Sequence, residues 1–134
     1  LANMAIDNVV SIPQEGSVPV DGLVRADKQD VLLAMTFKPY RREVAEAVQA
    51  ARAQGVTIIA ISDSPASPIF EGADYRFLIS VATPLLFIST VALSALLESL
   101  MAFVIADLDE SVIASIQRFH QRRYDLGIYL EESQ

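Results

Sequence analysis

A chain of 134 residues that is 52% hydrophobic has material for one domain with a substantial core, and little room for a second. Seventeen acidic against ten basic residues leave a net charge of −7, which argues against a polyanion-binding surface, so any nucleic-acid role falls to another part of the molecule. Cysteine is absent, which removes disulfides, thiolate metal centres and cysteine nucleophiles, and suits a reducing cytoplasm, the compartment expected here.

In chain order, Leu1-Ala2-Asn3-Met4-Ala5-Ile6 resembles the last turns of an apolar helix whose beginning lies upstream. Asn8 to Ile12 is a short strand candidate closed by Pro13, followed by a polar connection from Gln14 to Gly22 and a turn of helix within Leu23–Lys28. Val31 to Thr36 has no polar alternation, the pattern of a strand covered on both faces. From Pro39 to Gln54 the period changes. Val44, Ala47, Val48 and Ala51 fall on one helical stripe, with Pro39 suited to open the helix and Gly55 to close it.

Thr57 to Ser62 repeats the buried-strand pattern, and Ser67-Pro68 suits the cap and first residue of a short helix reaching Gly72. Tyr75 to Val81 is a fourth strand. Thr83-Pro84 then opens a long apolar helix, 84–106, whose only charge is Glu98. A helix apolar on nearly every side must be covered on nearly every side, and a second subunit is the expected cover, in a dimer or tetramer. Asp107 with Glu110 matches a capping box for a final helix over about 108–126, with Leu108, Val112, Ile116 and Phe119 as its buried stripe and Gly127 as its stop. The stretch from Phe77 to Leu97 carries no charge and is long enough to span a membrane, but Pro84 and five scattered hydroxyl residues favour the strand-plus-helix reading, and no membrane is expected.

Strands alternating with helices imply right-handed crossovers and a parallel sheet with helices on both sides. The expectation is one α/β domain over 1–134, with its core over about 8–106. Open parallel sheets place ligands at the carboxyl ends of their strands. The loops after Met35 and after Ile61 should therefore face one crevice.

Those loops carry a resemblance. Val31-Leu32-Leu33-Ala34-Met35-Thr36-Phe37-Lys38-Pro39-Tyr40-Arg41-Arg42-Glu43 and Gly55 to Pro68, above all Ser62-Asp63-Ser64-Pro65 followed by Ser67-Pro68, resemble the sugar isomerase (SIS) domain, particularly that of RpiR-type transcriptional regulators. The similarity runs from about Asn8 to about Val104. Thr36 stands at the first serine of the wider family pattern and Glu43 at its glutamate, while Lys38, Pro39 and Arg41 depart from it. Thr36, Phe37 and Tyr40 resemble the regulator version, in which Arg41 replaces a usual serine. The family's earlier glycine- and serine-containing loop has no counterpart in this sequence. The resemblance implies a three-layer α/β/α, flavodoxin-like domain of five parallel strands, its first strand and most of its first helix expected upstream of Leu1. It also implies a phosphosugar or related carbohydrate ligand and, in the parent protein, a DNA-binding helix-turn-helix module outside this chain.

A phosphorylated sugar or amino sugar needs donors around its phosphate and polar groups for its hydroxyls. Thr36 can add a hydroxyl at a strand end, Lys38, Arg41 or Arg42 charge, Tyr40 a stacking face, and Asp63 and Ser64 partners for sugar hydroxyls. Each has a plainer role: Thr36, Ser64 and Ser67 as caps or turn residues, Tyr40 as packing against a loop, the cations as solvated charge. The expected ligand set is Thr36, Phe37, Lys38, Tyr40, Asp63 and Ser64, with no metal and no cofactor. Aldose–ketose isomerisation would instead need a base, for which Glu43, Glu98 and His120 are the candidates. The Thr36–Tyr40 version of the loop and the Asp63-to-Pro68 phrase, which resemble the regulators, together with the lack of an evident acid–base pair, imply an effector-sensing and dimerisation module rather than a phosphosugar isomerase, with a purely structural dimerisation domain as a third reading.

Overall fold

The computed structural model describes residues 9–130. These form two compact units, one of Ser11–Ala95 and another from Leu96 onward that includes Val9 and Val10. The expectation of a helix end at Leu1–Ile6 lies outside the described residues.

The first unit is built on three parallel strands in the order β1 (Val31–Thr36), β2 (Thr57–Ser62) and β3 (Tyr75–Leu78). The register runs Val31 opposite Thr57 through Thr36 opposite Ser62, then Ile59 opposite Tyr75 through Ser62 opposite Leu78. Asp74 fixes where β3 joins. Its carboxylate accepts from the Ile58 amide at 2.8 Å, and its own amide donates to the Ile58 carbonyl at 3.0 Å.

Helix α1 (Arg42–Ala53) connects β1 to β2 and buries Ala47, Val48 and Ala51 against the sheet. Its partners are Ala34, Ile58 and Ala60 from the strands and Leu23 from a short 3-10 helix, Pro19–Leu23, with Ile69 and Phe70 closing the cluster. Gly55 ends α1 at φ +79, a conformation that costs a Cβ-bearing residue steric strain. There the Gly55 amide donates to the Arg52 carbonyl and the Val56 amide to the Ala51 carbonyl, the paired bonds of a Schellman stop.

Helices α2 (Val91–Ala106) and α3 (Glu110–Asp125) follow. No residue of α2 is buried, and its one charge, Glu98, is exposed. Asp109 caps α3 by accepting from the Val112 amide at 3.1 Å, and Gly127, at φ +68, ends it with the same stop as Gly55. Among the described residues no single helix is long and apolar enough to cross a membrane; α2 and α3 pass that test only together, as a pair bent by 118°.

The parallel sheet with its helices is the α/β arrangement expected from the sequence, with several differences in the elements. Asn8 lies outside the described residues, and Val9–Ile12 form no strand: Val9 and Val10 are exposed, and the sheet has three described strands rather than four. One turn of helix forms at Pro19–Leu23, before the expected position, because Pro19 is preset for it. β3 stops at Leu78, three residues early. Residues 68–72 form turns instead of a helix, and Gly72, at φ +73, breaks any continuation. α1 begins at Arg42, not Pro39.

The long helix starts at Val91, not Pro84, because the Ser89 amide is drawn back to the Val81 carbonyl at 3.0 Å while the Ser89 hydroxyl accepts from the Val91 amide. The last helix is capped by Asp109; Asp107 instead closes α2 by donating to the Phe103 carbonyl. β1 is covered on the α1 side only, leaving Val31 60% exposed and Leu33 exposed as well.

Candidate functional site

Parallel pairing with Thr36 opposite Ser62 brings the loops after β1 and β2 to the same edge of the sheet. Ser62 is fully buried, and its hydroxyl donates to the Thr36 carbonyl at 2.6 Å. Thr36 is itself buried. One residue further on, Asp63 reaches across to the neighbouring loop: its carboxylate accepts from the Lys38 amide at 3.3 Å and from the Tyr40 hydroxyl at 3.0 Å.

Burial works to raise the Asp63 pKa. It is outweighed by hydrogen bonds from the Lys38 amide, the Tyr40 hydroxyl and the Asp63 amide and by the Lys38 charge, so the carboxyl titrates below its ordinary value.

Beside this junction lies an open cavity of about 550 Å³. Lys38 and Asp63 form one side of it, and the segment after β3, with Ser80, Val81 and Thr83, forms another; Leu85, Leu86, Phe87 and Ile88 complete the wall. Among the described residues the one ion pair joins Arg41 Nε to Glu43 Oε1 at 2.8 Å, so Lys38, which lines the cavity, has no ion-pair partner. Arg41, at the start of α1, makes no side-chain cap, and the positive end of the helix dipole lies at this edge.

Of the six residues expected to meet a ligand, Lys38 and Asp63 line the cavity. The other four are not among its lining residues; Thr36 is bonded through its carbonyl to the Ser62 hydroxyl at the end of β2, and Tyr40 through its hydroxyl to Asp63. Phe37 is half-buried between Thr36 and Lys38, and the Ser64 hydroxyl accepts from the Ala66 amide at 3.2 Å. Ser67 is buried with its hydroxyl unpartnered, and it caps no helix because none follows.

Among the three candidate bases, Glu43 sits in the first turn of α1, paired with Arg41. Glu98 and His120 belong to the second unit, both exposed, with the His120 ring edge-on to Phe119 at 6.0 Å. The described residues contain no group of three or more His, Asp or Glu side chains placed to hold a metal ion. Sequence reasoning missed Ser80 and Thr83. The signal was available, since both follow the third parallel strand and the strand-end rule applies to it as to the other two.

A family model for the SIS domain matches residues 4–106. No curated protein matches the chain significantly. The crystal structure of an RpiR transcription factor from Sphaerobacter thermophilus (sugar isomerase domain) is similar over 90% of this chain and 67% of that one, with a TM-score of 0.78 and 22% identity. At that identity the likeness speaks for the fold. The family match spans most of the sequence and includes both loops of the site, and the chain belongs to the SIS-domain family.

Proposed function

We propose that this SIS domain binds a phosphorylated sugar or amino sugar at the carboxyl edge of β1 and β2, and serves as the effector-sensing and pairing module of an RpiR-type regulator. The observation that carries the reading is Lys38, a cation without an ion-pair partner on the wall of a cavity that also offers the Ser80 and Thr83 residues. Lys38 meets the phosphate, and hydroxyl groups around the cavity meet the sugar. The helix dipole at the start of α1 adds to the attraction for an anion.

The regulator context is supported by the fold shared with the Sphaerobacter thermophilus RpiR domain. DNA would be read by a module outside this chain, in keeping with the net charge of −7. The setting is the cytoplasm. A second copy covers the apolar surface offered by Leu85, Leu86 and Phe87; α2, which has no buried residue of its own, separately offers an apolar face for such cover.

Thermal-shift screening against hexose, pentose and amino-sugar phosphates tests the reading. A ligand present at a hundred times its Kd stabilises the folded state by about 2.7 kcal/mol. A screen in which no phosphosugar stabilises the chain overturns it. Product analysis on the same mixtures separates sensing from isomerisation, for which turnover abolished by replacing Glu43, Glu98 or His120 would be required.

A further inference from the structure

We infer that Asp63 is a positioning residue, which clamps the loop after β1 to the end of β2 and so presents Lys38 to the cavity outside any ion pair. The inference rests on the phosphosugar reading only for the identity of the anion that Lys38 meets. A carboxylate lining the wall of an anion site is otherwise a difficulty, because it repels the ligand and competes for the cation.

The geometry resolves the difficulty. One Asp63 oxygen accepts from the backbone amide of Lys38 and the other from the Tyr40 hydroxyl, while the Ser62 hydroxyl stands 3.5 Å from that second oxygen. The carboxylate is thus bonded by neutral donors from the loop that carries Lys38, and no ion pair forms between Lys38 and Asp63. Ser62 ties the same two segments one residue earlier, through the Thr36 carbonyl. These bonds bridge 23 to 26 residues of sequence. They hold Lys38 by its backbone, beyond the end of the β1–β2 ladder, where the pairing of the strands no longer reaches it.

Tyr40 shares this role: its hydroxyl is engaged with Asp63, and its ring is half-buried. Removing the carboxylate should loosen Lys38 without touching the core, since α1 packs through Ala47, Val48 and Ala51 on another part of the sheet.

The first arm of the test uses the chain without added ligand. Amide hydrogen exchange is read at Lys38, with the Ile59 and Ile61 amides reporting that β2 is intact. Asp63→Ala should speed exchange at Lys38 about tenfold, the value of one hydrogen bond to a charged group. Asp63→Asn should remain within about threefold of the wild type, because the amide oxygen still accepts from Lys38 while the NH₂ group turns to the Tyr40 oxygen. Unchanged exchange at Lys38 in Asp63→Ala overturns the inference. Tyr40→Phe keeps the test open should Asp63→Ala fail to fold, and it should speed exchange at Lys38 by a smaller factor; wild-type exchange there overturns the inference in the same way.

The second arm titrates inorganic phosphate and glucosamine 6-phosphate against Asp63→Ala in wild-type and Lys38→Met backgrounds. A positioning role predicts about tenfold weaker binding in the first background and no further loss in the second, since coupled residues are not additive. Equal losses in both backgrounds overturn it, because Asp63 would then contact the anion on its own account. A wild-type chain that binds neither these probes nor any other phosphosugar overturns the proposed function, and the exchange arm still decides the clamp.

Discussion

Ser62 donates its hydroxyl proton to the carbonyl oxygen of Thr36, so the last residues of two neighbouring parallel strands are tied by a side chain as well as by the ladder. Both residues are buried, and water offers no substitute partner for a donor or acceptor left without its mate. Ser62→Ala should therefore destabilise the fold by about 1–3 kcal/mol. The urea midpoint should fall while the m-value stays constant, the mark of lost stability without a change in the surface exposed on unfolding.

Acid should act on Asp63. Its folded pKa is held below the ordinary carboxylate value, so its contribution to stability is complete above the unfolded value and is lost as pH falls through the lowered folded one. Stability measured from pH 6 downward should show a component below the usual Asp range that Asp63→Asn removes. The donors concerned are the amide of Lys38, the hydroxyl of Tyr40 and the amide of Asp63 itself, with the Lys38 charge beside them. An acid limb of the same size in Asp63→Asn contradicts the assignment.

Ile58 and Ile61 are among the largest fully buried side chains, whereas Leu86 is 98% exposed. Ile58→Ala should cost about 2–5 kcal/mol through lost transfer energy and the cavity it leaves. In the isolated subunit Leu86→Ala should stay within about 0.5 kcal/mol of the wild type. Chemical denaturation of the two variants side by side checks the contrast.

Leu86→Asp combined with Phe87→Asp places charge on the surface proposed to meet a second copy. Sedimentation velocity should show the wild type as a dimer or larger and the variant as a monomer with unchanged secondary structure. Identical sedimentation of the two would remove this surface from the interface.

Gly55→Ala should destabilise by about 1–2 kcal/mol, because φ +79 lies in the left-handed region that a Cβ disfavours. Space is not the obstacle: the nearest heavy atom to an added Cβ is Lys28 Cβ at 3.6 Å, an ordinary contact. Thermal melting reads this difference directly.

The buried strands were legible because unbroken apolar runs such as Thr57–Ile61 have few other soluble interpretations, and the two loops then followed from strand polarity. The boundaries that depend on competing hydroxyl caps were less so. Thr83-Pro84 and Ser89-Thr90 both resemble helix starts, and the choice between them is made by the hydrogen bond from the Ser89 amide to the Val81 carbonyl, which no local pattern encodes. Asp107 and Asp109 pose the same ambiguity two residues apart. At the site, residue types marked Tyr40 and Asp63 as candidate ligand groups, whereas their bond to each other spans 23 residues of chain and emerges only in three dimensions.

Among the described residues β1 has β2 as its one strand neighbour, and the exposed Val31 and Leu33 lie on it. Its outer side is a row of backbone donors and acceptors that another extended segment can match, such as the strand expected upstream of Leu1. For residues 9–130 taken by themselves, this margin is where stacking of copies would nucleate in concentrated solution. A lysine at Val31 is the conservative remedy, since it interrupts the row's self-affinity far from the Lys38 loop.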